Sequence, residues 1–288
     1  VNIRFWKVEA IKNDFPLVHL DEVAELAASR FVTIDFQLAE LAVRMSDRHF
    51  GIGGDGLLAL GRDDQRLRLR MFNPDGSEDF CGNGLRAAAN HAFLQGWVAN
   101  QFEIQHLDRN VPARIHEDGS ISTALGQASY DPELVPTSLS YELYNQIVWD
   151  GIDAGMPLTF FGSALTTGST HVVIPTASLP DDESFRAISP RIEIDGRYPK
   201  RTSIIWRQET SPNVLRIRIW ERGVGETLGC GTGSSAAAAD YARRKGLTNF
   251  EVSVENPGGA VTISGPGWEG PITVRGEAHE VYSGEFHL

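Results

Sequence analysis

Two cysteines are the residues of this chain best suited to do chemistry, and each opens the same local pattern. The first copy reads Cys81-Gly82-Asn83-Gly84 followed by LRAAANHAFLQG. The second reads Cys230-Gly231-Thr232-Gly233 followed by SSAAAADYARRKG. No other cysteine occurs in the 288 residues. In both copies a Cys-Gly-x-Gly turn runs into an alanine-rich segment of good helix formers. Each segment stops at a glycine, Gly96 or Gly246, where a residue just past a helix end belongs. Each cysteine is therefore expected at a helix N-terminus.

A helix N-terminus presents backbone N–H groups without intrahelical acceptors and the positive end of the dipole. It binds an anion such as a carboxylate and favours thiolate over thiol. The glycines let a ligand approach the backbone closely. Two such ends facing one another would place a thiol on each side of a carboxylate-bearing substrate. Two blander readings stand beside this one. A lone cysteine is usually a small buried hydrophobe, and two cysteines can form a disulfide. The duplication favours paired reactive thiols over both.

The composition is that of a soluble globular protein, with 41% hydrophobic and 22% charged residues and a net charge of −12. The length suits two domains. The negative balance argues against a nucleic-acid partner. No apolar run reaches the ~20 residues of a membrane span, and VNIRFWKVEAIKNDF does not read as a signal peptide. These features lead to the expectation of a cytoplasmic enzyme with reduced thiols. A metal site is disfavoured, because two distant cysteines and scattered histidines lack ligand spacing.

Stepping along the chain, residues 3–8 alternate like a strand, and Asn13-Asp14-Phe15 reads as a polar break before FPLVHL. Helical spacing covers 21–30, with Asp21 as N-cap, and 37–49. Gly51, Gly53 and Gly56 spell the dinucleotide fingerprint, but a helix precedes it and a strand-like LLALG, ended by GRDDQ, follows. That order is wrong for a nucleotide fold, so the glycines are read as a tight loop in which Gly54-Asp55 is structural. LRLRMF is a strand entering the Asn73-Pro74-Asp75-Gly76 turn, which delivers Asn73 and Glu78 ahead of the first thiol. Residues 97–125 read as strands turning at HLDRN and HEDGS. The Pro- and Ser-bearing QASYDPELVPTSLS marks a domain boundary, after which the chain is irregular until GSALTTGSTHVVIP. His171 lies at the edge of that strand. A short helix follows, then a strand starting at Ser203, then VLRIRIW and a Glu221-Arg222-Gly223 corner. The remainder is short strands between Gly/Pro turns. GWVANQFEIQ after the first helix and GLTNFEVSVE after the second suggest two duplicated domains sharing a cleft. Their bounds are taken as 1–127 with 277–288, and 128–276.

With these motifs in place the chain resembles the diaminopimelate epimerases. The resemblance is carried by Asn13-Asp14-Phe15, RHFGIGGDG, NPDGSEDFCGNG, GSTH, WERGVGETLGCGTG, NPGG and GEAHEVYSG, and covers almost the whole chain. It implies an α+β fold of two pseudo-symmetric domains, each a mostly antiparallel sheet wrapped around a central helix, with the C-terminal strand returning to the first. It implies a cofactor-independent isomerase of lysine precursor biosynthesis that inverts a carbon bearing an amino group and a carboxylate. One thiolate removes the α-proton and the other cysteine, as thiol, delivers a proton to the opposite face. The family often forms homodimers.

By the same resemblance, the carbanion is stabilised by N–H groups at Gly82, Asn83, Gly231 and Thr232. No cofactor is implied, and none of the four lysines (Lys7, Lys12, Lys200, Lys245) lies in a recognisable PLP motif. Asn13 and Asn73 match substrate-contacting positions. Glu221 and Arg222 match residues holding the distal amino and carboxylate groups. His171 and Glu221 match residues near the first and second cysteine. Two positions depart from the family pattern. Its usual G-N-P-H is here Gly168-Ser169-Thr170-His171, and the asparagine expected in the next strand is Ser203. Both contact the distal end of diaminopimelate in the family, so a racemase of another amino acid, histidine being one example, is the alternative substrate reading. A disulfide redox switch is the third.

Overall fold

The computed structural model describes residues 1–63, 66–153 and 155–288. The chain divides into two compact units, Val1–Ala124 with Arg275–Leu288, and Leu125–Val274. Each has an α+β fold, and the two repeat one strand pattern.

Unit 1 starts with β1 (Asn2–Ala10) and β2 (Asn13–His19), an antiparallel hairpin closed by Ala10 opposite Asn13. The polar break expected at Asn13–Phe15 is instead the start of β2. The turn is Ile11-Lys12, at φ 49° and 62°. A two-residue hairpin of the I′ class needs positive φ at both positions and usually takes Asn or Gly, so this one is invisible to turn chemistry. Helix α1 (Leu20–Ser29) follows directly, with His19 in the N-cap position but no side-chain capping bond. Asp21 is thus not the N-cap but lies in the first turn with Glu22, where the dipole favours acids. Helix α2 (Ile34–Ser46) begins earlier than expected, because the Thr33 side chain caps the Phe36 N–H, and it ends before Asp47.

The glycine-rich loop leads to β3 (Leu57–Asp63), parallel to β2, and β4 (Arg66–Phe72), antiparallel to β3. The expected GRDDQ break falls partly inside β3, and its Asp64 and Gln65 lie outside the described residues. After α3 (Gly82–Leu94), β5 (Gln101–His106) is parallel to β4 and β6 (Arg109–Ile115) antiparallel to β5, with β7 (Ile121–Gln127) next.

In unit 2 the stretch expected to be irregular holds a hairpin, β8 (Gln146–Asp153) and β9 (Met156–Thr166). Its alternation is broken by a bulge between Ile147 and Trp149, which hid it from a period-two reading. Then β10 (Thr170–Thr176), antiparallel to β9, connects through α4 (Asp182–Glu193) to a parallel β11 (Ser203–Ser211). Strand β12 (Val214–Glu221) is antiparallel to β11, and the short β13 (Gly225–Thr227) folds back on it. After α5 (Gly231–Lys245), β14 (Phe250–Asn256) is parallel to β12 and β15 (Gly259–Gly265) antiparallel to β14. β16 (Pro271–Gly276) leads to β17 (His279–His287), which returns to unit 1 and pairs antiparallel with β1. Strand order β1-β2-β3-β4-β5-β6 therefore matches β9-β10-β11-β12-β14-β15 in every parallel and antiparallel step.

The alanine-rich helices have a common reason. Helix α3 packs against β1, β2, β3, β4, β6 and β17, and α5 against β9, β10, β11, β12, β14 and β15. A helix touched by sheet on so many sides favours small side chains where the strands come closest, and Ala87–Ala89 and Ala236–Ala239 are all buried. The opposite faces of the sheets are covered by the other helices. In unit 1, Val23, Leu26, Leu38, Leu41 and Met45 pack on Ile3, Phe5 and Val18. In unit 2, Phe185, Ile188 and Ile192 of α4 pack on Val172, Ile204 and Trp206.

Candidate active-site residues

Each cysteine caps its helix. Cys81 has φ −135° and ψ 109°, and its sulfur accepts the Gly84 N–H at 3.2 Å. Cys230 has φ −140° and ψ 115°, and its sulfur accepts the Gly233 N–H at 3.3 Å. Cysteine here takes the place of the usual Ser, Thr or Asp cap. An N–H donated to sulfur favours the thiolate. The last glycine of each motif makes that approach possible. A Cβ on Gly84 or Gly233 would sit 3.4 Å from the sulfur and collide with Leu58 at 2.9 Å or Ile205 at 2.7 Å. Gly82-Asn83 and Gly231-Thr232 are the first two residues of α3 and α5, where a helix offers its N–H groups outward. Neither cysteine is in a disulfide.

Around Cys81 the first unit builds a polar cradle. The Asn13 carbonyl oxygen accepts the Asn83 amide at 3.2 Å and lies 3.9 Å from the Cys81 sulfur. Asn13 is itself oriented, because its amide donates to Asp55 at 2.6 Å. Arg48 bridges Asp55 and Asp14, both at 2.8 Å, and the buried Lys7 pairs with Asp14 and donates to the Gly53 carbonyl. Burial pushes the Asp14 carboxyl up, but Arg48 and Lys7 outweigh it and hold it below the usual range. The glycine-rich loop thus supports Asn13, and Gly54 must be bare because a Cβ would meet Pro16 at 2.7 Å. Asn73, at the end of β4, donates to Ser77 at 3.1 Å. Glu78 is held by Arg70 at 2.6 Å, a structural role.

The second unit links several of its expected residues in separate groups. The Thr232 hydroxyl is 3.3 Å from the Cys230 sulfur. The Thr232 carbonyl accepts the Thr167 hydroxyl at 2.8 Å, tying the 167–170 loop and its Ser169 to the helix end. His171, at the start of β10, is in register with Ser203, and the Ser203 hydroxyl accepts the Arg222 N–H at 3.1 Å. Glu221 accepts the Thr227 hydroxyl at 2.7 Å. His171 is buried with neither ring nitrogen hydrogen-bonded. Burial, helped by the positive charge of Arg222, pushes its pKa down to about 3, so the imidazole is neutral.

Sequence reasoning missed the residues behind the cysteines. The Cys81 N–H donates to His106 Nε2 at 3.1 Å, and the Cys230 N–H to Asn256 Oδ1 at 3.4 Å. His106 and Asn256 hold the same place, the last residue of the strand after the helix and the closing pair of a hairpin, opposite Arg109 and Gly259. Extending the repeat past FEIQ and FEVSVE to the ends of those strands would have found them. Among the described residues no cluster of His, Cys, Asp and Glu could hold a metal, and no helix is long and apolar enough to cross a membrane.

The sequence matches the family model described as diaminopimelate epimerase over residues 5–130 and 163–279. It is 34% identical to the diaminopimelate epimerase of Desulforudis audaxviator, with 99% of each chain covered. It is 33% identical to that of Prochlorococcus marinus, covering 99% of this chain and 92% of the relative. Among solved structures, a PhzF-family phenazine biosynthesis protein of Bacillus anthracis has a TM-score of 0.65 at 18% identity over the whole of both chains. A hydroxyproline epimerase of Agrobacterium vitis has a TM-score of 0.64 at 10% identity, covering 99% of this chain and 91% of that one. The solved structures share the fold, the family model covers most of the chain, and the two relatives match it over nearly its whole length: this chain belongs to the diaminopimelate epimerase family and is an isomerase.

Proposed function

We propose that the protein interconverts LL- and meso-diaminopimelate without a cofactor, by two-base proton transfer at Cα. The reaction needs a base to take the α-proton and an acid to return one on the opposite face, and each unit supplies a thiol for one of these tasks. The observation that carries this reading is the matched capping geometry of Cys81 and Cys230, each sulfur receiving a backbone N–H from the third residue after it.

The substrate's α-carboxylate gains negative charge as the proton leaves. The N–H groups at Gly82, Asn83, Gly231 and Thr232 are suited to receive it. Loss of one oxyanion donor costs about 2.7–4 kcal/mol of barrier, whereas a helix dipole contributes about 0.3–2 kcal/mol, so directed N–H bonds matter more than the diffuse field. Asn13 and Asn73 contact substrate. Ser169, Ser203, Glu221 and Arg222 serve its distal amino and carboxylate groups. His171 and Glu221 support the protonation states of the thiols. The fitting experiment incubates the purified protein with LL-diaminopimelate in D₂O and follows both stereochemistry and deuterium at Cα. Interconversion with label in the product is expected. A protein that deuterates another amino acid, and not diaminopimelate, would overturn the substrate assignment while keeping the chemistry.

A further inference from the structure

Glu193, the last residue of α4, is 3% exposed and spends both carboxylate oxygens on the stretch around Glu221-Arg222. One oxygen accepts the Trp220 indole N–H at 2.7 Å. The other accepts the Gly223 backbone N–H at 2.7 Å and pairs with Arg201 at 2.6 Å. The residues gripped are therefore the one before the Glu221-Arg222 pair and the one after it. Within the corner, Val224 N–H returns to the Glu221 carbonyl at 3.1 Å and Gly223 takes φ 76°, so the turn is tight. The Arg222 N–H is held by Ser203.

A buried carboxylate is a costly brace. Replacing a buried ion pair with apolar residues is often neutral or stabilising, so stability alone is a poor reason for one here. A carboxylate does offer what no other side chain of that size can, two acceptor oxygens and no donor. It fits two N–H groups flanking a dipeptide, which an amide would satisfy on one side only.

We propose that Glu193 is a positioning residue for substrate recognition, bracing the Glu221-Arg222 corner from both flanks so that its two side chains are held ready for the substrate's distal amino and carboxylate groups. This rests on the role given to Glu221 and Arg222 above. The test compares wild type with Glu193→Gln and Arg201→Ala by two readouts. Amide hydrogen exchange at Gly223, measured by NMR without substrate, reports whether the corner is braced. Steady-state kinetics with diaminopimelate report whether the brace serves binding. For Glu193→Gln we expect at least tenfold faster exchange at Gly223 and a KM about tenfold higher, with kcat within about threefold. Arg201, whose side chain is half exposed, should be replaceable with KM changed by less than about twofold. An unchanged KM in an active Glu193→Gln variant, with only a lower melting temperature, would overturn the proposal. If wild type turns over no diaminopimelate, the functional reading fails, and the brace is then judged at Gly223 alone: faster exchange supports it, unchanged exchange refutes it. Should Glu193→Gln not fold, Trp220→Phe removes one of the two grips and carries the same measurements.

Discussion

The two cysteine ends have nearly the same backbone and different supports. Both sulfurs cap a helix, both receive an N–H at 3.2–3.3 Å, and both glycines behind them are crowded by an aliphatic side chain. Yet the Cys81 amide rests on an imidazole and the Cys230 amide on a carboxamide. His106 can accept that N–H only while neutral, and its Nδ1 faces the Leu69 carbonyl at 3.2 Å, which fixes the tautomer. Asn256 cannot titrate. It also accepts from Ser234 at 3.1 Å, and its own amide donates to the Val254 carbonyl at 3.1 Å. The capping geometry is common to both units, while of the two supports beneath the cysteine amides only His106 can titrate.

The largest effect should come from deleting either sulfur. Cys81→Ser and Cys230→Ser should each lower interconversion by on the order of 10²–10⁴-fold, the usual worth of a positioned acid or base. Deuterium exchange from one stereoisomer only should survive, and opposite isomers should survive in the two variants. Wild-type rates in either single variant would rule out a two-base mechanism.

Next come Gly84→Ala and Gly233→Ala. The added methyl gains helix propensity, up to about 1 kcal/mol, but must displace Leu58 or Ile205 and crowd the sulfur, at about 1–3 kcal/mol. Both variants should melt lower and lose activity, with Gly233→Ala the worse because its contact is the shorter. Thermal unfolding and kcat measured side by side check the ranking.

A third comparison separates the supports by pH. Burial lowers the His106 pKa below its usual 6.5, against the pull of the Leu69 carbonyl and the charges of Glu78 and Asp79, with Arg109 adding to the lowering. In the unfolded chain the imidazole titrates near 6.5. The unfolded state therefore binds the extra proton first as pH falls, and the stability from neutral His106 is complete above about 6.5 and lost below it. His106→Asn should flatten part of the acid-side loss in urea midpoints between pH 7.5 and 5. Buried His19, lowered to about 4 mainly by burial, and His171 lose stability over the same window, and with His91 and His116, also lowered by burial, they contribute to the slope that remains. An Asn256 substitution should leave the slope as it is.

The smallest effect belongs to Thr167→Val, which removes one hydrogen bond to the Thr232 carbonyl. About 0.5–1.5 kcal/mol of stability is expected to go, readable as a shift in the urea midpoint.

Much of this was written in local sequence. A turn-helix unit announces itself through glycine, alanine and a terminal glycine, and Gly96 and Gly246 do take φ 67° and 64°. The GxGxxG segment does have a helix before it and a strand after it, the order its flanking sequence implies. What could not be read depends on distance along the chain. His106 and Asn256 matter only because a strand end comes back beneath the helix. Asp55 matters only because Asn13 lies on a hairpin whose turn, Ile11-Lys12, has no turn-forming residue. In sequence, nothing marks Glu193 out from the other acids of its helix, Asp182 and Glu183.

The pairing of β17 with β1 carries a consequence for how the chain is made. Most of unit 1 is translated before unit 2, but the strand that completes its sheet is translated after all of unit 2. At roughly 5–20 residues per second the early segment waits on the order of ten seconds with β1 unpaired on that side. During that interval an exposed strand edge is a template for other chains, so nascent unit 1 is where a holdase would find its client.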